Sequence, residues 1–279
     1  MPGPLHGLTV LSLALNLPGP LAAAALRDEG ARVVKIEPPG GDPFQHFSPE
    51  WYAEVTRGVE VHTLDLKTPE GQARLHTLLP ETDLLLTSSR PAALMRLGLD
   101  GSALDAAYPQ LCRVVIVGDT LDPNAPGHDL TYQAEAGLID PARPGMPRTL
   151  VADLLGAREA QAAALALLWG RERGGAERER RVGLAGAASH AALPLRYGLT
   201  APGGLLSGAR PFYRLYATAD GVIAVAALEG HFADRWLALT GPDPEATVRA
   251  HPTASWLKLA QEQDLPLSEV RATPEMKRG

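Results

Sequence analysis

The chain has 279 residues, 45% of them hydrophobic, which suits one large globular domain or two modest ones. A formal net charge of −6 argues against a general nucleic-acid-binding surface, and the single cysteine, Cys112, excludes an internal disulfide. Cys112 sits in an apolar run and is interpreted as a core thiol. We find no stretch apolar enough to span a bilayer and no signal-peptide pattern, so we predict a cytoplasmic protein without a membrane partner.

Short apolar runs alternate with helical patterns in the first part of the chain. The predicted strands are residues 8–13, 31–36, 83–87 and 113–117, and the predicted helices are residues 20–29 and 70–79. This alternation predicts an α/β domain whose parallel sheet is covered by helices on both faces, with ligands bound beyond the carboxyl ends of the strands. The turn after the first strand lacks a GxGxxG motif, which disfavours a nicotinamide-dependent dehydrogenase.

A long Ala/Leu-rich helix is predicted from about Asp153 to Trp169, ended by two glycines. Beyond it a charged run, small residues and a Gly-rich segment indicate a linker, followed by a β-hairpin (213–218 and 222–227) and a C-terminal helix (255–263). We therefore predict a large α/β domain over residues 1–185, a linker over 186–208 and a small α+β domain over 209–279.

An imidazole and two carboxylates lie at the ends of apolar elements: His128 in Gly127-His128-Asp129, Asp153, and Glu229 after a short strand. Such groups suit proton abstraction from carbon, which needs a base at the reacting carbon and electrostatic support for the enolate. Each residue also has a simpler interpretation. Asp153 suits a helix N-cap, His128 a surface turn, and Glu229 an acid that complements a helix dipole.

Several segments in order along the chain resemble the class III CoA transferases and, within them, the α-methylacyl-CoA racemases. They are residues 18–20, VKIEPPGGDP at 34–43, 65–67, 90–91, 96–99, 127–132, 151–153, 212–221 and Glu229. The resemblance implies a Rossmann-like large domain, a smaller α+β domain and an interlocked homodimer. It also implies an acyl-CoA substrate, with coenzyme A carried as part of the thioester and no separate cofactor.

In the racemase branch, the resemblance assigns one face of the α-carbon to His128, supported by Glu229, and the other face to Asp153. In the transferase branch, the residue matching Asp153 is a nucleophile that forms a mixed anhydride. Transferases commonly carry Tyr at the position of His128 and a run of glycines where this chain reads AALEG at 226–230. We therefore hypothesise an α-methylacyl-CoA racemase-like isomerase.

Two alternatives stay open, namely a class III CoA transferase that uses Asp153 and a shortened, non-catalytic CoA-binding homologue. The second arises because the family continues past the small domain and returns to the large one, a segment that we expect to be missing here.

The resemblance also points to CoA contacts: Asn16, Lys67, Arg90, Arg96, Gly127, Asp129 and Tyr132. The guanidinium groups of Arg90 and Arg96 suit phosphates or adenine stacking, and Lys67 suits a phosphate. The simpler interpretation of each of the three is a solvated surface charge. The remaining histidines have no ligand-like spacing, so we predict no metal site.

Overall fold

The computed structural model describes residues 2–272 and divides into two compact units between Ala192 and Leu193. Each unit has its own sheet and its own hydrophobic core. The last residues of the predicted small domain, 273–279, lie outside the described residues. Over the described part of the chain, no helix combines the length and the apolar character that crossing a bilayer requires.

The first unit is built on a parallel six-stranded sheet in the order β3-β2-β1-β4-β5-β6. The strands are β1 (Thr9–Ser12), β2 (Arg32–Glu37), β3 (Glu60–Thr63), β4 (Leu84–Thr87), β5 (Cys112–Val117) and β6 (Glu179–Gly183). The winding reverses between β1 and β4, which opens a crevice at the carboxyl edge of the sheet. The predicted α/β class with a Rossmann-like sheet is confirmed.

Helices cover both faces of this sheet. They are α1 (Pro18–Asp28), α2 (Pro43–Phe47), α3 (Pro49–Val55), α4 (Pro69–Leu78) with a 3₁₀ turn (Leu79–Glu81), α5 (Pro91–Arg96), α6 (Gly101–Ala107), α7 (Asp129–Glu135), α8 (Val151–Glu172) and α9 (Leu184–Ala191). Successive strand residues point to opposite faces, so Val33 packs with α1 and α8 whereas Val34 packs with the layer of α4 to α6. The interpretation of Cys112 as a buried core thiol is confirmed.

Within the first unit, the two strands that the sequence does not predict, β3 and β6, both lie at the edges of the sheet. All of β3 is exposed, and β6 begins with the charged residues 179–181 that resemble a linker. Edge strands expose much of their surface to water, so the apolar pattern that reveals a buried strand is missing from their sequences.

Helix α9 occupies the start of the stretch for which the sequence predicts a linker, residues 186–208. Its Ala187 and Ala188 are fully buried, and the helix packs along α8 within the first unit. A run of alanine and glycine in a sequence suggests a flexible linker, but such small residues also let two helices approach closely.

The second unit holds α10 (Leu193–Arg196), an antiparallel sheet in the order β7-β8-β9, and helices α11 (Gly230–Thr240), α12 (Pro244–Arg249) and α13 (Thr253–Gln263). The strands are β7 (Tyr213–Ala217), β8 (Val222–Ala226) and β9 (Leu267–Glu269). The predicted hairpin is therefore present as β7 and β8. Trp236 and Trp256 fill the core, and each indole N–H donates to a backbone carbonyl, of Pro211 and Val248 respectively.

Candidate active site

A cavity of about 270 Å³ lies in the first unit, at the carboxyl edge of the parallel sheet. Segments that follow β1, β4 and β5 meet there, together with the start of α8, as expected for a sheet of this topology. The polar residues that line the cavity include Asn16, Ser88, Arg90, His128, Tyr132 and Asp153. The structure thus brings His128 and Asp153, which are 25 positions apart in sequence, to one cavity.

Asp153 is the third residue of α8 and not its N-cap, which is Leu150. The simpler interpretation as a cap therefore does not describe its position. Its backbone N–H donates to Oδ2 of Asp129 at 3.0 Å, so that donor is already engaged within the protein. Burial first, and the negative charge of Asp129 second, raise the pKa of the Asp153 carboxyl from 3.8 to about 7. Near neutral pH this group can both give and take a proton.

The carboxylate of Asp129 is buried behind Asp153. Its second oxygen accepts a hydrogen bond from the amide of Gln133, and that amide also donates to the Thr149 carbonyl at 3.0 Å. The sequence predicts Asp129 as a CoA contact, but the structure turns it inward, where it joins α7 to the start of α8. An aspartate in the first turn of a short helix can also point its side chain to solvent. The inward orientation of the Asp129 side chain is therefore set by packing and could not be predicted from the sequence.

His128 directly precedes α7, and its side chain is exposed at the rim of the cavity. Its backbone is held on both sides by one hydroxyl, that of Thr131. The His128 N–H donates to the Thr131 oxygen at 3.2 Å, and the hydroxyl donates to the His128 carbonyl at 2.8 Å. The backbone under the imidazole is therefore fixed while the ring stays accessible to a ligand.

Tyr132 is buried beside the cavity, where its ring passes between two glycines. A Cβ on either Gly118 or Gly127 would overlap the tyrosine ring or its hydroxyl. Burial, and then the charge of Asp153, raise the pKa of the Tyr132 hydroxyl, which therefore stays protonated. Gly127, predicted as a CoA contact, has a packing role here, since it makes room for the ring that forms the cavity wall.

The turn between β1 and α1 forms another wall of the cavity, and two distant side chains hold its backbone. The Leu15 N–H donates to Ser88 Oγ at 2.9 Å, and the Asn16 N–H donates to Asp42 Oδ1 at 2.9 Å. Asn16 adopts the left-handed conformation with φ of 65°, which few non-glycine residues tolerate. Sequence reasoning missed Ser88 and Asp42; the position of Ser88 directly after a buried strand was the available signal.

The predicted CoA-binding cations lie around neighbouring cavities of the same unit. Lys67 and Arg96 line one of about 510 Å³, and Arg90 and Arg96 line another of about 320 Å³. All three side chains are exposed. Over residues 2–272, none of the three is seen in an ion pair or side-chain hydrogen bond, so their charges are available to an anionic ligand.

Glu229 belongs to the second unit, where it is the residue that precedes α11. Its side chain is exposed and makes no hydrogen bond to the first turn of that helix. Glu229 thus stands at the N-terminus of α11, which is where an acid that complements a helix dipole would lie.

The family model described as CoA-transferase family III matches residues 5–272 of the chain. Alpha-methylacyl-CoA racemase of Homo sapiens is 32% identical over 245 residues, which are 82% of this chain and 62% of that protein. Succinyl-CoA–D-citramalate CoA-transferase of Chloroflexus aurantiacus is 38% identical over 125 residues, which are 42% of this chain and 31% of that protein. The chain thus spans less than two thirds of the length of these curated relatives.

A crystal structure of Rv3272 from Mycobacterium tuberculosis superposes on this chain with a TM-score of 0.84 at 25% sequence identity. The match covers 97% of this chain and 84% of that one. A CaiB/BaiF family protein from Brucella suis shares the fold, with a TM-score of 0.82 at 22% identity.

Proposed function

This chain belongs to CoA-transferase family III, and from that premise we propose that it epimerises the α-carbon of a 2-methylacyl-CoA thioester. The family includes a relative named as a racemase and relatives named as CoA-transferases. The observation that carries our proposal is the presence of two proton-transfer groups, His128 and Asp153, in the lining of one cavity. Two such groups suit a carbon acid that loses a proton on one face and regains one on the other.

In the proposed reaction, one of the two groups takes the α-proton as the C–H bond breaks, and the electron pair passes into the thioester as an enolate. The other group gives its own proton to the opposite face of the α-carbon, which restores the thioester with inverted configuration. The reaction consumes no co-reactant, and each group ends in the protonation state in which the other began. A carboxyl with a pKa of about 7 suits this cycle, because neither protonation state is costly near neutral pH.

Asp129 supports the proposed chemistry from outside the cavity. Its charge contributes to the raised pKa of Asp153, and its hydrogen bond holds the backbone of that residue. We assign Asp129 a positioning role and not a contact with the substrate. This replaces the interpretation of Asp129 as a CoA contact.

We propose that Lys67, Arg90 and Arg96 bind the phosphates or the adenine of the CoA moiety. Their exposure at adjoining cavities supports this, as does the chemistry of guanidinium and ammonium groups toward phosphate. From the family resemblance we also propose a homodimer, which sedimentation analysis tests, and a cytoplasmic location, which cell fractionation tests.

Transfer of CoA between acids is a second candidate function, favoured by the curated relatives that are named as transferases. In that reaction the Asp153 carboxylate attacks the thioester carbonyl, the C–S bond breaks, and CoA leaves as a thiolate while an acyl-aspartyl anhydride forms. The imidazole of His128 at the cavity has no defined part in those steps. We therefore rank epimerisation first.

The deciding experiment incubates each enantiomer of 2-methylbutanoyl-CoA with the protein in heavy water and follows the α-carbon by NMR. We expect deuterium at the α-carbon and interconversion of the enantiomers. Asp153→Asn and His128→Ala should each abolish interconversion, while the base that remains can still exchange the proton of one enantiomer. His76→Ala, which removes an exposed imidazole on α4, serves as the matched control and should match wild type.

Transfer is tested in parallel with a free carboxylic acid acceptor and with hydroxylamine, which traps an acyl-Asp153 anhydride. A trapped anhydride without α-proton exchange would replace epimerisation with transfer. Affinity for the acyl-CoA without exchange or transfer would support the non-catalytic homologue.

A further inference from the structure

We infer that Asp42 is a positioning residue for the cavity: its carboxylate holds the β1–α1 turn at Asn16 in the left-handed conformation that forms the cavity wall. The inference rests on the proposed function only in taking this cavity as the substrate site. Asp42 does not line the cavity and acts through Asn16, which does.

Asp42 belongs to a buried cluster of charged and polar side chains beneath the turn. Its Oδ2 accepts a hydrogen bond from the ammonium of Lys35 at 2.8 Å. Lys35 also pairs with Glu37, and Glu37 accepts a hydrogen bond from the hydroxyl of Tyr52. Lys35 is 1% exposed and Asp42 0%, so this ion pair is out of contact with water. Breaking a buried pair is costly, so the Asp42 carboxylate is held in one place.

The sequence builds this cluster from strand alternation and a glycine turn. Lys35 and Glu37 lie two positions apart on β2 and therefore point to the same face of the sheet. Gly41, with φ of 73°, lets the chain reverse after β2 and bring Asp42 back toward Lys35. Asp42 is then also the N-cap of α2, where its Oδ1 accepts from the Phe44 N–H at 3.0 Å.

The other hydrogen bond of Oδ1 goes to a different part of the chain. It accepts from the Asn16 N–H at 2.9 Å, although Asn16 lies 26 positions away. The Asn16 side chain is exposed at the cavity and makes no hydrogen bond within residues 2–272. An amide presented in this way, on a backbone held from below, suits contact with a polar group of the substrate.

A purely structural role would also bury Asp42, since capping a helix and pairing a lysine both stabilise a fold. A substitution by serine separates this structural role from the positioning of Asn16, because serine retains the helix cap but not every other contact of the carboxylate. Serine caps a helix well, so Asp42→Ser keeps an acceptor for Phe44, but its short side chain does not span to both Asn16 and Lys35. Asp243→Ser is the matched control, because Asp243 is likewise the N-cap of a short helix, in the second unit.

Two readouts are measured on the full chain: hydrogen exchange of the Asn16 amide by NMR, and the KM and kcat of α-proton exchange with 2-methylbutanoyl-CoA. For Asp42→Ser we expect Asn16 amide exchange to speed up at least about tenfold, and KM to rise about tenfold with a smaller change in kcat, as expected for one lost hydrogen bond to a charged group. Asp243→Ser should change neither. If Asp42→Ser does not fold, Lys35→Met and Glu37→Gln are added together, so that neither a buried ammonium nor a buried carboxylate is left without its partner, and the same outcomes apply.

An Asn16 amide that stays protected in the folded variant would overturn the inference, and so would lost protection with an unchanged KM. If wild type binds 2-methylbutanoyl-CoA but exchanges no proton, the proposed function fails. The dissociation constant measured by calorimetry then takes the place of KM, and a rise of about tenfold still supports the positioning role of Asp42.

Discussion

The raised pKa of Asp153 makes the stability of the protein depend on pH in a way that Asp153→Asn removes. In the folded protein the carboxyl keeps its proton up to about pH 7, whereas in the unfolded chain it loses the proton near its ordinary pKa of 3.8. The folded state therefore binds more protons between these values. Stability from this group is fully present below pH 3.8 and is lost as the pH rises through 7.

The rise from 3.8 to about 7 sets the size of the effect. A shift of roughly 3 units corresponds to at most about 4 kcal/mol. Asp153 remains partly exposed, so solvent screening reduces this figure, and we expect a change of about 2 kcal/mol. Asparagine has nearly the same shape, keeps the backbone N–H that donates to Asp129, and does not titrate.

The assay is urea unfolding of wild type and Asp153→Asn at several pH values between 4.5 and 8. The free energy of unfolding of wild type should fall relative to the variant across this range, because other titrating groups cancel in the difference. Glu159→Gln removes an exposed carboxyl from the same helix and should leave a flat difference. A flat difference for Asp153→Asn as well, or one that rises with pH, would refute the assigned environment of Asp153.

Two further substitutions test the supports of the cavity. Asp129→Asn should lower the pKa of Asp153, because it removes a nearby negative charge, but not to 3.8, because burial is the larger cause. A carbon-13 titration of the Asp153 carboxyl measures this pKa. An unchanged or higher pKa would contradict the prediction. Gly127→Ala should lower the free energy of unfolding by about 1–3 kcal/mol, since the new methyl group overlaps the buried Tyr132 ring. Gly145→Ala is the control in urea unfolding, because a Cβ at Gly145 meets no atom within 4 Å. Equal stabilities of the two variants would contradict the prediction and show that the Tyr132 ring shifts at little cost in free energy.

Much of the first unit follows from local patterns in the sequence. The buried strands β1, β2, β4 and β5 are predictable because a strand with both faces covered is a continuous apolar run, and α1 and α4 are predictable from their helical pattern. The short helices α2, α3, α5 and α6, which lie between the same strands, are not predicted. The long Ala-rich helix α8 and the Asp-Gly hairpin are predictable for a different reason, since their residues favour those conformations wherever they occur. The order of the family motifs likewise identified the class of protein.

The state of the candidate site was decided only by tertiary structure. The sequence shows an aspartate near the start of a helix, but the pKa of Asp153 depends on burial and on Asp129, which reaches it from α7. Asn16 likewise takes its conformation from a carboxylate 26 positions away. Sequence patterns report the preferences of neighbouring residues, whereas desolvation and distant hydrogen bonds exist only once the elements have packed together.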